Sequence, residues 1–431
     1  MKNFIPNECI FYHIYPLGFC GAPQKNTGEA PINRLDKIER WIPHMKSLGI
    51  NALYLGPIFD SGFHGYDTHD FTKIDPRLGT NEDFKSLCKA LDETGIHLIL
   101  DGVFNHVGRG HFAFQDVLKN RESSPYCSWI SGLNFNGNND RNDGLSYDNW
   151  AGHNTLVKLN LKNPQVREHL LSAVDMWIDE FGISGLRLDA ADCIDHDFFR
   201  ELRRRTLSKR PDFWLMGEIT CASDYRVWMN DDMLHSVTNY ECYKGLYSCL
   251  NTKNLFEIAH SFNRQFGGEW GLYKDKTLYS FVDNHDVSRI VNVLNRHEDL
   301  KNIYTLLYTM PGIPSIYYGS EWAISGKKER HSDAAMRPAI DVDNPNILDR
   351  ELMEHLKTLA QVRHSSPALK YGSYESVQIM NEQLVFARST DQDTRLVFMN
   401  ISSDSKFLSV NYKGRQYEAQ VAPYSSQIIK A

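Results

Sequence analysis

The chain has 431 residues, 42% of them apolar. That is enough for a sizeable core, and the length suits two or three domains or one α/β barrel with an appendage. Lys and Arg total 47 against 54 Asp and Glu, a formal charge of −7, which argues against non-specific binding to nucleic acid or to an anionic membrane.

The first sixteen residues, MKNFIPNECIFYHIYP, interrupt any apolar stretch with Pro, Asn and Glu. No signal peptide is expected there. Residues 9–15 form a first short apolar run. Residues 34–48 read as a helix, with Leu35, Ile38, Ile42 and Met45 near i, i+3/i+4 spacing. A second run at 50–55 precedes a helix at 81–94, where Asn81 is the expected cap before Glu82 and Asp83. A third run occupies 96–100. Short runs alternating with helices are the pattern of parallel strands with helical crossovers.

The rhythm stops between 108 and 153, where Asn, Asp, Gly and Ser dominate. A structureless loop of that length is unusual, so a small inserted subdomain is expected. A helix at 163–180 resumes the pattern. Runs at 185–188, 213–216, 236–238, 278–281 and 315–318 then bring the strand total to eight, the number in a (β/α)8 barrel. Residues 302–320 are uncharged, yet Pro311, Gly312 and Pro314 make them a helix–loop–strand passage rather than a membrane span. After a helix at 347–363 the character changes. Five β-prone segments at 375–380, 384–389, 394–400, 407–412 and 416–421 predict a small all-β sandwich. The expected organisation is barrel (1–106), excursion (107–157), barrel (158–364) and C-terminal β-sandwich domain (365–431).

The eight cysteines contain no CxxC pair, and their spacing fits neither a zinc ribbon nor an iron–sulfur cluster. They read as free thiols in a reducing compartment, so the cytoplasm is the expected location.

The chemistry is signalled by the polar residues at the ends of the apolar runs. Asp101 comes directly after HLIL, Asp189 after GLRL and Glu218 after FWLMG, and His285 and Asp286 come after LYSFVDN. These are C-terminal strand ends, where barrel enzymes place their active groups. Paired carboxylates break glycosidic bonds, one ionised near the anomeric carbon and the other holding a proton. Arg187 lies two residues before Asp189, hence on the same face of its strand. A guanidinium there can keep Asp189 ionised while Glu218 is the raised-pKa donor. The same pair also fits a purely structural role under the barrel mouth.

With those residues the chain resembles the α-amylase family, glycoside hydrolase family 13, over nearly its whole length. The matching segments are DGVFNH (101–106), VKLN (157–160), GLRLDAA (185–191), GE (217–218) and FVDNHD (281–286), with HGYDTHDF (64–71) and GIPSIYYGSE (312–321) beside them. The resemblance implies a (β/α)8 barrel, an excursion after the third strand and a C-terminal β-sandwich. It implies a retaining α-glucan hydrolase with Asp189 as nucleophile, Glu218 as general acid/base and Asp286 as the carboxylate that distorts the sugar. It further implies substrate contacts from Tyr66, His106, His285 and Arg337, with Arg187 and Asp101 supporting the mouth. The chemistry requires no cofactor, and the implied partner is an α-glucan oligosaccharide. A transferase, a disaccharide-acting α-glucosidase or a phosphorylase of the same fold would share these motifs.

VKLN resembles the corresponding segment of the neopullulanase and cyclomaltodextrinase branch. The sequence begins almost at the first run, so that branch's N-terminal β domain is not expected ahead of it. Two departures stand out. Asp192 and Cys193 replace a frequent Lys and His, and Thr220 and Cys221 replace a frequent Trp and His. Both pairs are expected on the leaving-group side. Relatives also suggest a structural calcium near Asn105, with Asp140, Asp143 and Asp148 as candidate ligands from the excursion. Trp129 and Trp150 are candidate platforms for distal sugars. His13, Tyr317 and Tyr318 read as packing residues.

Overall fold

The computed structural model describes residues 3–221, 224–330 and 332–431. Eight parallel strands follow one another around a barrel: β1 (Phe11–Ile14), β2 (Ala52–Leu55), β3 (His97–Gly102), β4 (Gly185–Leu188), β5 (Trp214–Gly217), β6 (Ser236–Val237), β7 (Tyr279–Phe281) and β8 (Ile313–Tyr317). Neighbours in sequence are neighbours in space, and β8 returns to β1 through the pair Phe11–Ser315. A single parallel bridge between Thr238 and Tyr279 closes the ring between β6 and β7. Each expected run is a strand, shifted by at most two residues at either end. The uncharged passage at 302–320 is a buried helix followed by β8. Among the described residues no helix is long and apolar enough to cross a membrane.

Helices α1 (Asp36–Ser47), α2 (Asn81–Glu93), α3 (Pro164–Phe181), α4 (His196–Lys209), α5 (Tyr240–Asn251), α6 (Phe256–Phe266), α7 (Asp299–Thr309) and α8 (Arg350–Ser365) cover the outside. The cap of α2 is Thr80, not Asn81. Thr80 Oγ1 accepts from the Asp83 backbone N–H, and the Asp83 carboxylate accepts from the Thr80 N–H, closing a capping box. Asn81 instead bridges backward, accepting from Ile74 N and donating to Thr72 O.

Strand alternation sorts the lumen into layers. Phe11, Ala52, Ile99, Trp214, Tyr279 and Ile313 form an apolar floor with Phe4 and Cys9 beneath them. Two residues further along their strands come His13, Tyr54, Asp101 and Met216, which by the period of two occupy the next layer up. Polar chemistry therefore begins one pleat above a dry core.

The excursion has its own small sheet, formed by His106–Gly108, Asn149–Trp150 and His153–Lys158, with a helix over Phe112–Asn120. The C-terminal part is a four-stranded antiparallel sheet facing a hairpin. The sheet comprises β9 (Ser373–Ile379), β10 (Gln383–Ser389), β11 (Thr394–Asn400) and β14 (Ser425–Lys430). The hairpin comprises β12 (Lys406–Tyr412) and β13 (Arg415–Val421). One face of β10 and β11 packs on the hairpin through Val385, Leu396, Phe398, Val410 and Val421. The other, with Phe386 and Val397, joins the barrel core. The sequence pattern predicts five strands here and does not mark β14, whose Ser425–Lys430 side chains are only partly buried and alternate weakly.

Candidate active site

Arg187 is the centre of the mouth. It lies on β4 in register with Asp101 on β3 and Met216 on β5. Its side chain is 3% exposed. Nη1 donates to Asp101 Oδ1 at 2.9 Å and to Asp189 Oδ1 at 3.0 Å, while Nη2 reaches Glu218 Oε2 at 2.8 Å. One buried cation thus gathers three carboxylates from three adjacent strands. Burial disfavours its charge, but the carboxylates outweigh burial and hold Arg187 well above its ordinary range.

The backbone fixes these groups closely. Asp189 N donates to Gly102 O and Glu218 N to Leu188 O, continuing the barrel ladder to the two carboxyl residues. Ala190 then turns into the left-handed region, at φ 43° and ψ 47°. This strained turn aims its N–H at Glu218 Oε2, 3.2 Å away. Gly217 is required on β5, because a Cβ there would meet Leu234 Cδ1 at 2.4 Å and Ala191 Cβ at 2.9 Å.

Asp286 belongs to a second cluster across the mouth. His285 Nε2 lies 3.0 Å from its Oδ2, and Arg337 Nη2 donates to its Oδ1 at 3.0 Å. Arg337 Nε also holds the His285 carbonyl at 3.0 Å. Tyr66 Oη hydrogen-bonds His285 Nε2 and donates to Asp101 Oδ2 at 3.3 Å, linking the two clusters. Of the nine residues assigned to catalysis, sugar contact or support of the mouth, all but His106 thus enter one connected network. His106 is buried outside it, on the first excursion strand, with Nδ1 3.2 Å from Asn105 Nδ2 and its ring 6.0 Å from that of Trp150.

The carboxyls differ in charge state. Burial opposes ionisation of Asp286, but His285 and Arg337 outweigh it and hold the group well below the usual carboxylate range. Burial raises Asp189, and Arg187 offsets this while the charges of Glu218 and Asp101 add to it; the net direction is up. Glu218 is raised as well, by burial first and by the charge of Asp286. The sequence alone points to Glu218 as the only raised member. Burial is the first cause for both and neighbouring carboxylate charge adds to it, so each holds its proton to higher pH than a free carboxylate.

Several site residues carry no mark in the sequence pattern. Tyr54 Oη donates to Asp101 Oδ2 at 2.7 Å. The ring of Tyr15 stacks on His285 (5.9 Å, 7°) and lies 4.5 Å beneath the Arg337 guanidinium. Tyr15 ends the first run, as Asp189 follows the fourth, so strand-end position is the available signal. His13, expected to pack, is buried and lies 5.1 Å from the His285 ring. Trp129 is 7% exposed and packs against Tyr126 and Phe112, so it offers no sugar platform. Trp150 is 37% exposed beside His106, so its ring is open to solvent. Cys193 and Cys221 are exposed just beyond Asp189 and Glu218, and all eight cysteines are free thiols.

The three candidate acids of the excursion already have partners. Asp143 takes both Nη1 and Nη2 of Arg109, Asp140 accepts from Asn154, and Asp148 accepts from Ser131. Asn105 Oδ1 is buried without a partner, but among the described residues no group of three His, Cys, Asp or Glu is arranged to hold a metal. A guanidinium already neutralises Asp143, one of the three candidate acids.

Comparisons with known proteins show the family. The model of the alpha-amylase catalytic domain matches residues 13–353. The chain belongs to the alpha-amylase family. A cyclomaltodextrinase from Bacillus sp is 31% identical over 419 residues, covering 91% of this chain and 72% of the relative. The cyclic alpha-maltosyl-(1→6)-maltose hydrolase from Arthrobacter globiformis superposes with a TM-score of 0.83 at 26% identity, covering 98% and 99% of the two chains. A debranching enzyme from Nostoc punctiforme gives 0.83 at 27% identity, covering 99% of both. Within the family the chain groups with the cyclomaltodextrinase- and neopullulanase-like branch. It is a glycoside hydrolase of the α-amylase type, acting on α-glucans.

Proposed function

We propose that this enzyme hydrolyses α-1,4-glucosidic bonds of maltodextrins with retention of configuration, through a covalent glycosyl-enzyme. The observation that carries the reading is the sharing of Arg187 by Asp189 and Glu218. Each carboxyl has one oxygen anchored, Asp189 Oδ1 by Nη1 and Glu218 Oε2 by Nη2 and Ala190 N. Asp189 Oδ2 then attacks the anomeric carbon while Glu218 Oε1 gives its proton to the leaving oxygen. In the second step Glu218 takes a proton from water, which displaces Asp189. A retaining mechanism calls for carboxyls about 5–5.5 Å apart, and a guanidinium shared between the two supports that short spacing.

Asp286, held ionised by His285 and Arg337, accepts hydrogen bonds from ring hydroxyls. These strengthen as the sugar flattens toward the oxocarbenium ion, and only such differential binding accelerates the chemistry. Tyr66 and His285 shape the same subsite, and His106 binds a hydroxyl at its edge. The free thiols support a cytoplasmic location. The test is turnover of maltooligosaccharides by Asp189→Asn and Glu218→Gln. Each is expected to lose at least about a thousandfold in kcat with the fold intact. Near-wild-type hydrolysis by either rejects the assignment. Longer oligomers or sugar phosphates among the products would assign the same centre to transfer or phosphorolysis.

A further inference from the structure

Arg289 is a buried cation that the mechanism above does not use. It stands three residues after Asp286, and its relative exposure is 0%. Its guanidinium lies over the ring of Tyr317 at 4.0 Å and that of Tyr318 at 4.9 Å. Nη1 donates to Tyr318 O and to Ser320 Oγ, the latter at 3.0 Å. Ser320 Oγ in turn donates to Asp283 Oδ2 at 2.7 Å. Nη2 donates to Met336 O at 2.9 Å, and Tyr317 Oη donates to the same carbonyl at 3.1 Å. The Arg289 backbone N–H holds Gly326 O at 2.8 Å.

Met336 O belongs to the peptide unit that leads into Arg337. Two buried donors therefore fix that unit, and a 3-10 turn over Ala334–Met336 leads into it. Arg337 then reaches back to Asp286 Oδ1 and His285 O. The contacts form a closed ring: Asp286, the chain to Arg289, Met336 O, Arg337 and Asp286 again. The segment has little slack, since a Cβ on Gly326 would lie 2.2 Å from Ala335 O. A lysine has no fork to serve these acceptors together.

We infer that Arg289 is a positioning residue that sets the Arg337–Asp286 contact from behind the barrel rim; this rests on the role given to Asp286 above. It touches no substrate. It fixes where the Arg337 guanidinium stands, and so the orientation in which Asp286 meets the sugar. A displacement of about 1 Å at such a contact can cost a hundredfold in rate.

The experiment measures kcat, KM and denaturation midpoint for Arg289→Met, Arg337→Met and the double variant on a maltooligosaccharide. Arg289→Met is expected to lower kcat by about tenfold to a hundredfold with KM changed by less than about threefold. In the Arg337→Met background the same substitution is expected to leave kcat within about twofold while still lowering the midpoint. An equal loss of kcat in both backgrounds, or no loss in the first, overturns the inference. Tyr317→Phe removes only one donor to Met336 O and serves if Arg289→Met does not fold. It is expected to lower kcat about threefold, again only when Arg337 is present, and no loss there overturns the inference. Asp286→Asn separates the two claims. Activity retained in that variant rejects the site assignment, whereas an inactive Asp286→Asn with additive Arg289 and Arg337 effects rejects this inference alone.

Discussion

Arg187 and Arg388 are buried almost alike, at 3% and 1% exposure, but are neutralised differently. Arg187 faces the carboxylates of Asp101, Asp189 and Glu218. Arg388 lies where β10 meets the barrel and donates to the carbonyls of Thr309, Gly372 and Ser373. Carbonyl dipoles neither titrate nor move charge, so burial dominates at Arg388 and lowers its pKa to about 9. Carboxylates raise that of Arg187 instead. Arg388 is a staple between two parts of the chain. Arg187 and its partners store opposed charges whose balance a substrate can shift, which suits a catalytic centre.

Breaking Arg187 is expected to have the largest effect. Arg187→Met leaves three buried carboxylates without their cation, so kcat is expected to fall by about a thousandfold or more. Stability at pH 7 is expected to fall by about 3–5 kcal/mol. The sign of the pH dependence follows from the raised folded pKa values of Asp189 and Glu218. They rise further without the cation, so the loss deepens as pH rises and shrinks as pH falls and the carboxyls take up protons. Denaturant titrations at several pH values read this directly. Arg388→Met should lower stability alone. It strands buried carbonyls and costs about 2–3 kcal/mol, with kcat within about twofold of wild type.

A third prediction concerns cations that the fold excludes. Burial lowers His106 to about 4 and His111 to about 3. Both are neutral in the folded protein, so their contribution is complete above pH 6.5 and is lost as pH falls toward those values. His111→Leu should therefore flatten the acid side of the stability profile. The change is about 2 kcal/mol between pH 6.5 and pH 5, read from denaturation midpoints. An unchanged slope would contradict it. The smallest effect is expected at the exposed pair beyond Asp189. Asp192→Lys with Cys193→His should change the ratio of hydrolysis to transfer products by about threefold, as one added cation and one added donor allow. An unchanged product profile would remove that pair from leaving-group recognition.

The strand-end acids are legible because barrel strands are short and their ends are marked by where the apolar runs stop. Asp101, Asp189, Glu218 and Asp286 can be placed on one mouth from that alone. Tyr15 and Tyr54 do not stand out, because an aromatic in an apolar run looks the same whether it packs or carries a hydroxyl to a carboxylate. Arg109 on Asp143 is hidden for another reason: the excursion's turn residues imitate cation ligands, and only the fold shows which acids are already paired. Thr80 displaces Asn81 as a cap because both residue types cap helices and the choice depends on one residue of register. The strand β14 escapes the pattern because Ser425–Lys430 is half exposed and carries little alternation.

The central claim is a double displacement by Asp189 and Glu218, which share one guanidinium. Proton NMR of the first products from a linear maltooligosaccharide, recorded before mutarotation, tests it most directly. The account predicts that the newly formed reducing ends appear as the α-anomer and relax to equilibrium. Initial appearance of the β-anomer would mean a single displacement by water and would contradict the account.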